Sequence, residues 1–356
     1  MISGTRTRAL VATVVLALVA VACSDSRTRA GQSSASPSPG VSQSSDVVGT
    51  IAAAGDIACN SFPSEHTRRC RYNRVAQLIA ELHPDRFLAL GDLQYLHGSL
   101  RDYRTYYDRY FGDLKDITAP VPGNHETYTT NMRGYLTYFG AIARPHGGWS
   151  YPNRGGYYSF DLGGWHFIAL NSQACKGVTW SPELGRGVPI SSNPVHTNGC
   201  GPGDSMYEWL RRDLALHPNA EYPCTVAFFH HPEFAWWQYR QTIEMIDIQP
   251  LWQVLDEAGV DVVLNGHFHN YQRWAPQDVF GSSDPDGPRE FIVGTGGDTY
   301  ENDFPNTDPP ANLEAHQAQS FGVLKLTMHP ASYDFEFVAA PGERPYTDSG
   351  TGVACG

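Results

Sequence analysis

Six side chains able to bind metal ions stand where short apolar runs of this sequence end. They are Asp56, Asp92, Asn124, His230, His267 and His269. The local sequences around them are Gly-Asp-Ile-Ala, Gly-Asp-Leu-Gln-Tyr, Gly-Asn-His-Glu, His-His-Pro and Gly-His-Phe-His. Carboxylate and amide oxygens mixed with imidazole nitrogens suit divalent or trivalent metal ions. Two adjacent ions would hold both the attacking and the leaving oxygen of a phosphoryl transfer, so the pattern predicts a binuclear hydrolytic site.

The pattern around the two aspartates predicts a β-α-β unit. The apolar run 47–54 leads to Asp56, a helical spacing of apolar residues follows over 75–82, and the run 87–90 leads to Asp92. Ligand groups at the carboxyl ends of adjacent parallel strands converge on one crevice. Asp56 and Asp92 are therefore expected to lie side by side.

The rest of the chain continues the alternation of strands and helices, which is typical of an α/β fold. The predicted elements are a helix beginning at Ser99, helices over 204–216 and 251–258, a hairpin over 157–170, and strands over 225–229, 261–264, 291–293, 322–328 and 333–338.

Taken together, these motifs resemble the calcineurin-like metallophosphoesterases and, within them, the purple acid phosphatases. Residues 266–273 are similar to that subgroup's Gly-His-x-His-x-Tyr-x-Arg, and residues 291–297 resemble a late strand and turn of the family. The resemblance covers about residues 52–297. It implies a four-layer α/β/β/α sandwich of two mixed sheets, with a binuclear metal site at the C-terminal ends of the strands.

The resemblance also implies how the ligands are shared between the two ions. Asp92 would bridge both ions. The first ion would take Asp56 and His269, and the second would take Asn124, His230 and His267.

Tyr95, three residues after Asp92, matches the phenolate ligand of the purple enzymes. Divalent-metal relatives instead place a histidine two residues after the first aspartate, where this chain has Ala58. Tyr95 is therefore expected to complete the first site, and the alternative is a core aromatic residue. The resemblance implies Fe(III) together with Zn, Fe or Mn, or alternatively two divalent ions.

His125 follows Asn124 and is the expected catalytic acid or oxyanion donor, with a purely structural histidine as the alternative. The sequence leaves open whether His97, His231 and Arg273 reach the cleft. It favours Glu126 as a residue that orients a neighbour.

The predicted function is that of a metal-dependent phosphatase that hydrolyses phosphate monoesters through attack of a metal-bound hydroxide. One alternative is a divalent-metal phosphodiesterase acting on nucleotides or phospholipid headgroups. The other is a non-catalytic, metal-stabilised surface binding module. Substrate identity and oligomeric state are not readable from the sequence.

The first residues predict export. Arg6 and Arg8 precede an apolar run over 9–22, which at 14 residues is the length of a signal-peptide core and too short to span a bilayer. The run ends at Cys23, which resembles a lipidation site. We expect a signal peptide over 1–22, a Ser/Pro/Gly-rich tether over 23–46 and a catalytic domain over 47–356. The protein would lie on the outer face of a bacterial membrane through a lipid anchor, or be secreted.

Six further cysteines in an exported chain predict disulfide bonds. They are Cys59, Cys70, Cys175, Cys200, Cys224 and Cys355. The shortest closures would be Cys59–Cys70 and Cys175–Cys200, which would leave Cys224 to pair with Cys355, although the sequence cannot choose among the possible pairings.

Composition excludes two classes of protein. The formal net charge of −12 argues against a broad basic surface for nucleic acid. A hydrophobic content of 41% is enough for a sizeable core and argues against wholesale disorder. A small phosphoester remains the expected partner, since bound metal would supply positive charge locally.

Overall fold

The computed structural model describes residues 46–64, 69–143, 155–175, 178–181, 186–189, 200–237, 248–300 and 304–356. The predicted signal peptide, Cys23 and all but the last residue of the tether lie outside these ranges, so export and lipidation stay predictions. None of the helices within the described ranges has the length and apolar character needed to cross a bilayer.

The first sheet carries the predicted β-α-β unit. Strands β1 (Gly49–Ala54), β2 (Arg86–Leu90) and β3 (Thr118–Val121) run parallel to one another. Three antiparallel strands complete a six-stranded sheet in the order β15-β14-β13-β1-β2-β3. They are β13 (Gly322–His329), β14 (Ser332–Ala339) and β15 (Ser349–Ala354).

The second sheet has seven strands in the order β12-β10-β11-β9-β8-β5-β4. Its four central strands are parallel neighbours, and antiparallel strands lie at both sides. The strands are β4 (Tyr158–Leu162), β5 (Trp165–Ala169), β8 (Thr225–Phe228), β9 (Val262–Asn265), β10 (Tyr271–Trp274), β11 (Arg289–Val293) and β12 (Leu313–Gln317). A separate hairpin is formed by β6 (Val178–Ser181) and β7 (Arg186–Pro189).

The α-helices in the described residues are short. They are α1 (Tyr72–Leu82), α2 (Leu100–Asp102), α3 (Asp108–Phe111), α4 (Arg133–Phe139), α5 (Ser205–Leu216) and α6 (Gln249–Glu257). A π-helical turn, Tyr103–Tyr107, joins α2 to α3. Ser99 caps α2 as predicted, since its hydroxyl oxygen accepts the Asp102 N–H at 3.1 Å.

Successive side chains of the central strands point to opposite faces of the sheet, and both faces are covered by another layer. On β5, Phe167 belongs to the core between the two sheets, whereas Ile168 packs with residues of α5 and α6. Val226 and Ala227 alternate in the same way on β8. Both faces of these strands are buried, which is why the sequence reads as continuous apolar runs. Helix α1 packs against the first sheet, so the order of layers is α/β/β/α, as predicted.

Several elements were not expected from the sequence. They are β10, β12, β15 and α4. Strand β3 contains Pro120, which cannot donate a ladder hydrogen bond and is tolerated because β3 is an edge strand. Strand β12 reads Leu-Glu-Ala-His-Gln and lies at an edge of the second sheet, where Glu314 and His316 remain exposed.

The six cysteines form three disulfides in the shortest-closure arrangement. Cys59–Cys70 and Cys175–Cys200 close local loops. Cys224–Cys355 joins the start of β8 to the residue after β15, and so links the two sheets covalently.

Candidate metal centre

The candidate ligands lie where the parallel strands of the two sheets end. Asp56, Asp92 and Asn124 follow β1, β2 and β3, while His230 and His267 follow β8 and β9. Asp56, Asp92 and His267 have positive φ values of 61°, 49° and 74°. Such a conformation is costly for residues other than glycine, and it is found where the surrounding structure enforces it.

Glycines let these strand ends approach one another. Gly91 has φ 85°, and a Cβ there would lie 2.6 Å from Nδ1 of His230. A Cβ on Gly123 would lie 2.2 Å from Oδ1 of Asp92. Any side chain at either position would therefore displace a candidate ligand.

One group of donor atoms consists of Asp56, Tyr95 and His269. The Tyr95 hydroxyl lies 2.9 Å from Asp56 Oδ1 and 2.8 Å from His269 Nε2. The third side of this triangle, from His269 Nε2 to Asp56 Oδ1, is 3.3 Å. We call these residues the first donor group.

A second donor group consists of Asn124, His230 and His267. Nε2 of His230 lies 3.2 Å from Asn124 Oδ1 and 3.3 Å from His267 Nδ1. Nδ1 of His230 is bonded to the Leu90 carbonyl oxygen at 2.8 Å, which turns Nε2 toward the centre.

Asp92 contacts both groups through one oxygen. Its Oδ2 lies 3.3 Å from the Tyr95 hydroxyl and 3.2 Å from His230 Nε2. Its Oδ1 accepts the His125 N–H at 2.8 Å, which anchors the carboxylate. A backbone hydrogen bond also anchors the Asp56 carboxylate, since its Oδ2 accepts the His267 N–H at 2.8 Å.

These spacings suit metal coordination. Donor atoms about 2.1 Å from one ion lie roughly 3.0–3.4 Å apart in octahedral or tetrahedral geometry. The distances within the two groups fall in or close to this interval. The oxygens, phenol and imidazoles present thus fit a pair of adjacent metal ions.

Comparison with known proteins identifies the family. The calcineurin-like phosphoesterase family model matches residues 49–271, more than half of the chain. This chain belongs to the calcineurin-like phosphoesterase family. The predicted family and fold are therefore confirmed.

The chain is similar to plant purple acid phosphatases. It is 26% identical to purple acid phosphatase 15 of Arabidopsis thaliana over 307 residues, covering 76% of this chain and 49% of that protein. It is 27% identical to purple acid phosphatase 18 of the same plant over 296 residues, covering 78% of this chain and 56% of that protein. The chain thus spans about half the length of the curated relatives it matches. Purple acid phosphatase PPD1 from yellow lupin (Lupinus luteus) seeds shares the fold, with a TM-score of 0.59, 18% identity, and coverage of 85% of this chain and 53% of that one.

The electrostatics of the candidate metal centre favour positive charge. Burial lowers the pKa of His230, but the Asp92 carboxylate more than offsets this effect and raises it to about 9. Burial raises the pKa of Asp92, but His230 and His125 together hold it well below its usual range. A site that draws a proton onto a buried imidazole attracts cations, and a bound metal ion would take that proton's place.

His125 lies at the edge of the candidate metal centre. Its Nδ1 is bonded to the Leu96 carbonyl oxygen at 2.5 Å, and its Nε2 lies 3.8 Å from Asp92 Oδ2. The side chain is 19% exposed, unlike the buried His230, so a substrate can reach it. This position suits a proton donor or oxyanion donor.

Glu126 holds the strand ends together through hydrogen bonds with backbone N–H groups. Its carboxylate is fully buried and accepts the backbone N–H groups of Asp92, Leu93 and Gly123 at 3.0, 3.0 and 2.7 Å. The Tyr103 hydroxyl donates a fourth hydrogen bond at 2.8 Å. Glu126 therefore orients its neighbours, as the sequence suggested.

The sequence left the roles of Arg273, His97 and His231 open, and the structure places these three residues in different surroundings. Arg273 Nε and the Tyr271 hydroxyl both donate to Asp348, at 2.8 and 2.7 Å, so Arg273 orients Tyr271 through a shared carboxylate. His97 is exposed, with its ring 5.7 Å from that of Tyr128. The structure brings only one of the three, His231, against the candidate ligands.

Asp298 was missed by the sequence reasoning. Its Oδ2 lies 3.9 Å from Nδ1 of His269, and its N–H donates to the Asp56 carbonyl oxygen at 3.1 Å. Burial raises its pKa to about 6. The available signal was its place directly after the Gly-Thr-Gly-Gly turn at 294–297.

Proposed function

We propose that this protein is an exported binuclear phosphatase that hydrolyses phosphate monoesters. The observation that carries the proposal is the contact of one Asp92 oxygen with both donor groups, beside the accessible imidazole of His125. Family membership and similarity to purple acid phosphatases support the reaction class.

The two donor groups would hold one ion each, with Asp92 shared between them. When bound, the ions would polarise the phosphoryl oxygens and lower the pKa of a coordinated water. The Tyr95 phenol suits Fe(III) in the first site, with Zn, Fe or Mn in the second. Two divalent ions are the alternative.

His125 would protonate the leaving oxygen. Because Nδ1 donates its proton to the Leu96 carbonyl, Nε2 carries a proton only in the imidazolium form. That proton passes to the ester oxygen as the P–O bond breaks. The Asp92 carboxylate lies 3.8 Å from Nε2, and the hydrogen bond that it accepts from the His125 backbone N–H fixes the position of this residue.

The proposed location outside the cytoplasm is supported by the disulfide bonds. Three disulfides are consistent with an oxidising compartment outside the cytoplasm. Cys23 remains the proposed lipidation site.

The test is metal analysis of the purified full chain together with a panel of phosphate monoesters and diesters. We expect two ions per chain and faster hydrolysis of monoesters. Asp92→Asn should lower both metal content and kcat, the latter by at least about 10²-fold. Faster turnover of diesters would favour the phosphodiesterase alternative. A fully loaded protein inactive on every ester would favour the binding module.

A further inference from the structure

Three imidazoles meet at the second donor group. His230, His231 and His267 each offer a ligand atom, and these atoms lie within 4.8 Å of one another. The ring centroid of His231 is 4.7 Å from that of His230 and 4.5 Å from that of His267. No role is implied for His231 by the family motifs.

Ser172 fixes the orientation of the His231 ring. The buried Ser172 hydroxyl oxygen accepts the His231 backbone N–H at 3.0 Å and lies 2.9 Å from its Nδ1. With Nδ1 held by this hydroxyl, a metal ion would bind through Nε2. Histidine ligands are commonly held in this way, because a hydrogen bond at one ring nitrogen sets the tautomer that presents the other.

Burial separates His231 from a substrate-binding role. The residue is 1% exposed, whereas the His125 side chain at the mouth of the centre is 19% exposed. The His231 carbonyl lies 3.4 Å from the Asn265 amide nitrogen, which also donates to the Phe229 carbonyl oxygen at 2.8 Å. The His231 imidazole is buried, its backbone is fixed, and it packs against two candidate ligands. It is therefore positioned to bind a metal ion and not a substrate.

We infer that His231 is a further ligand of the second metal ion. This inference rests on the proposed binuclear function. With Asn124, Asp92 and three imidazoles, the second site would be rich in nitrogen. Such a set favours Zn²⁺ over Mg²⁺ or Ca²⁺, which prefer oxygen ligands.

The direct test is ¹⁵N imidazole NMR of the full chain, titrated with zinc, with the His231 signal assigned from His231→Gln. We expect His231 Nε2 to acquire a metal-bound shift that no longer changes between about pH 5 and 8. If His230, His267 and His269 respond and His231 does not, the inference is wrong while the binuclear site stands. If none of the four responds, the proposed function fails as well.

A second arm measures zinc affinity by calorimetry for His231→Gln, Ser172→Ala and the matched control His97→Gln. Ser172→Ala should weaken the second zinc equivalent by about 10–100-fold, and His231→Gln at least as much. His97→Gln should bind like the wild type. A His231→Gln chain that binds both equivalents normally would overturn the inference. If His231→Gln unfolds, the Ser172→Ala affinities and the NMR titration still test whether His231 binds the second ion.

Discussion

Tyr95 places its hydroxyl among three candidate ligands, 2.9 Å from Asp56 Oδ1, 3.3 Å from Asp92 Oδ2 and 2.8 Å from His269 Nε2. Burial and then the two carboxylates raise its pKa well above the usual range, so the phenol would ionise only beside a cation. Ala58 is buried, and its methyl side chain offers no metal-binding atom. At the scale of single residues, we therefore propose that Tyr95 decides which metal the first site prefers.

Tyr95→Phe removes the donor oxygen and keeps the ring. If Fe(III) occupies the first site, the wild type should show a visible phenolate-to-iron absorption band, which the variant should lack. Activity should fall only in part, since the second donor group is intact. Visible spectra with iron analysis provide the measurement. A colourless, iron-free and active wild type would show that two divalent ions are used.

His125→Ala tests the proton donor. If His125 donates its proton in the transition state, as proposed, the variant should lower kcat by about 10²–10⁴-fold and raise KM much less. The loss should be smaller for esters with good leaving groups, which need no proton. Steady-state kinetics on a leaving-group series would measure this, and equal losses throughout would favour an electrostatic role.

At the scale of elements, hydrogen bonds from loop backbones to buried carboxylates set the geometry. Glu126 ties the turn after β2 to the turn after β3, which carry Asp92 and Asn124. Far from the centre, His166 on β5 is held between Asp161 Oδ1 at 2.7 Å and Asp213 Oδ2 at 2.8 Å, joining the β4–β5 hairpin to α5.

Glu126→Gln replaces one acceptor oxygen by an NH₂ group that faces N–H or O–H donors. We expect a loss of about 1–3 kcal/mol in the free energy of unfolding for each donor left unsatisfied, and weaker metal binding. Tyr103→Phe is the matched control, because it removes one donor and leaves the three backbone hydrogen bonds. Denaturant unfolding and zinc titration give the two readouts. Wild-type stability and zinc affinity in Glu126→Gln would show that Glu126 does not hold the two turns in place.

His166 should make stability depend on pH. Burial lowers its pKa, but hydrogen bonds to Asp213 and Asp161 outweigh burial and raise it above 6.5. A raised folded-state pKa gives stability that is fully present below the unfolded value and is lost as pH rises through the folded one. The difference in unfolding free energy between the wild type and His166→Gln should therefore be largest in acid and shrink with rising pH. A difference that grew with pH would contradict this assignment.

At the scale of the whole molecule, Cys224–Cys355 ties together chain segments 131 residues apart, whereas Cys59–Cys70 spans 11. In the chain-entropy model the long closure stabilises by about 5 kcal/mol and the short one by about 3 kcal/mol. The long disulfide also joins the two sheets whose strand ends build the centre.

Replacing both cysteines of a pair by serine tests this order. The Cys224→Ser/Cys355→Ser chain should lose about 2 kcal/mol more unfolding free energy than Cys59→Ser/Cys70→Ser. Equilibrium denaturation of both double variants and the wild type under non-reducing conditions measures the difference. Equal losses would mean that strain or residual structure, not loop length, dominates.

The sequence by itself determined the elements with strong periodicity and the chemistry at their ends. Apolar runs before Asp56, Asp92, His230 and His267 predicted buried strands, because both faces of those strands are covered. Strand β12 escaped prediction, since it carries the polar residues Glu314 and His316, which its position at the edge of the second sheet tolerates.

Only the tertiary structure decided which atoms face one another. His230 and His231 are adjacent in sequence, and nothing local distinguishes them. Leu90 sets the ring of one and Ser172 the ring of the other, across sequence separations of 140 and 59 residues. Glu126 likewise acts through backbone groups that no side-chain pattern reveals. Contacts of this kind depend on the packing of two sheets, and local residue spacing carries no information about them.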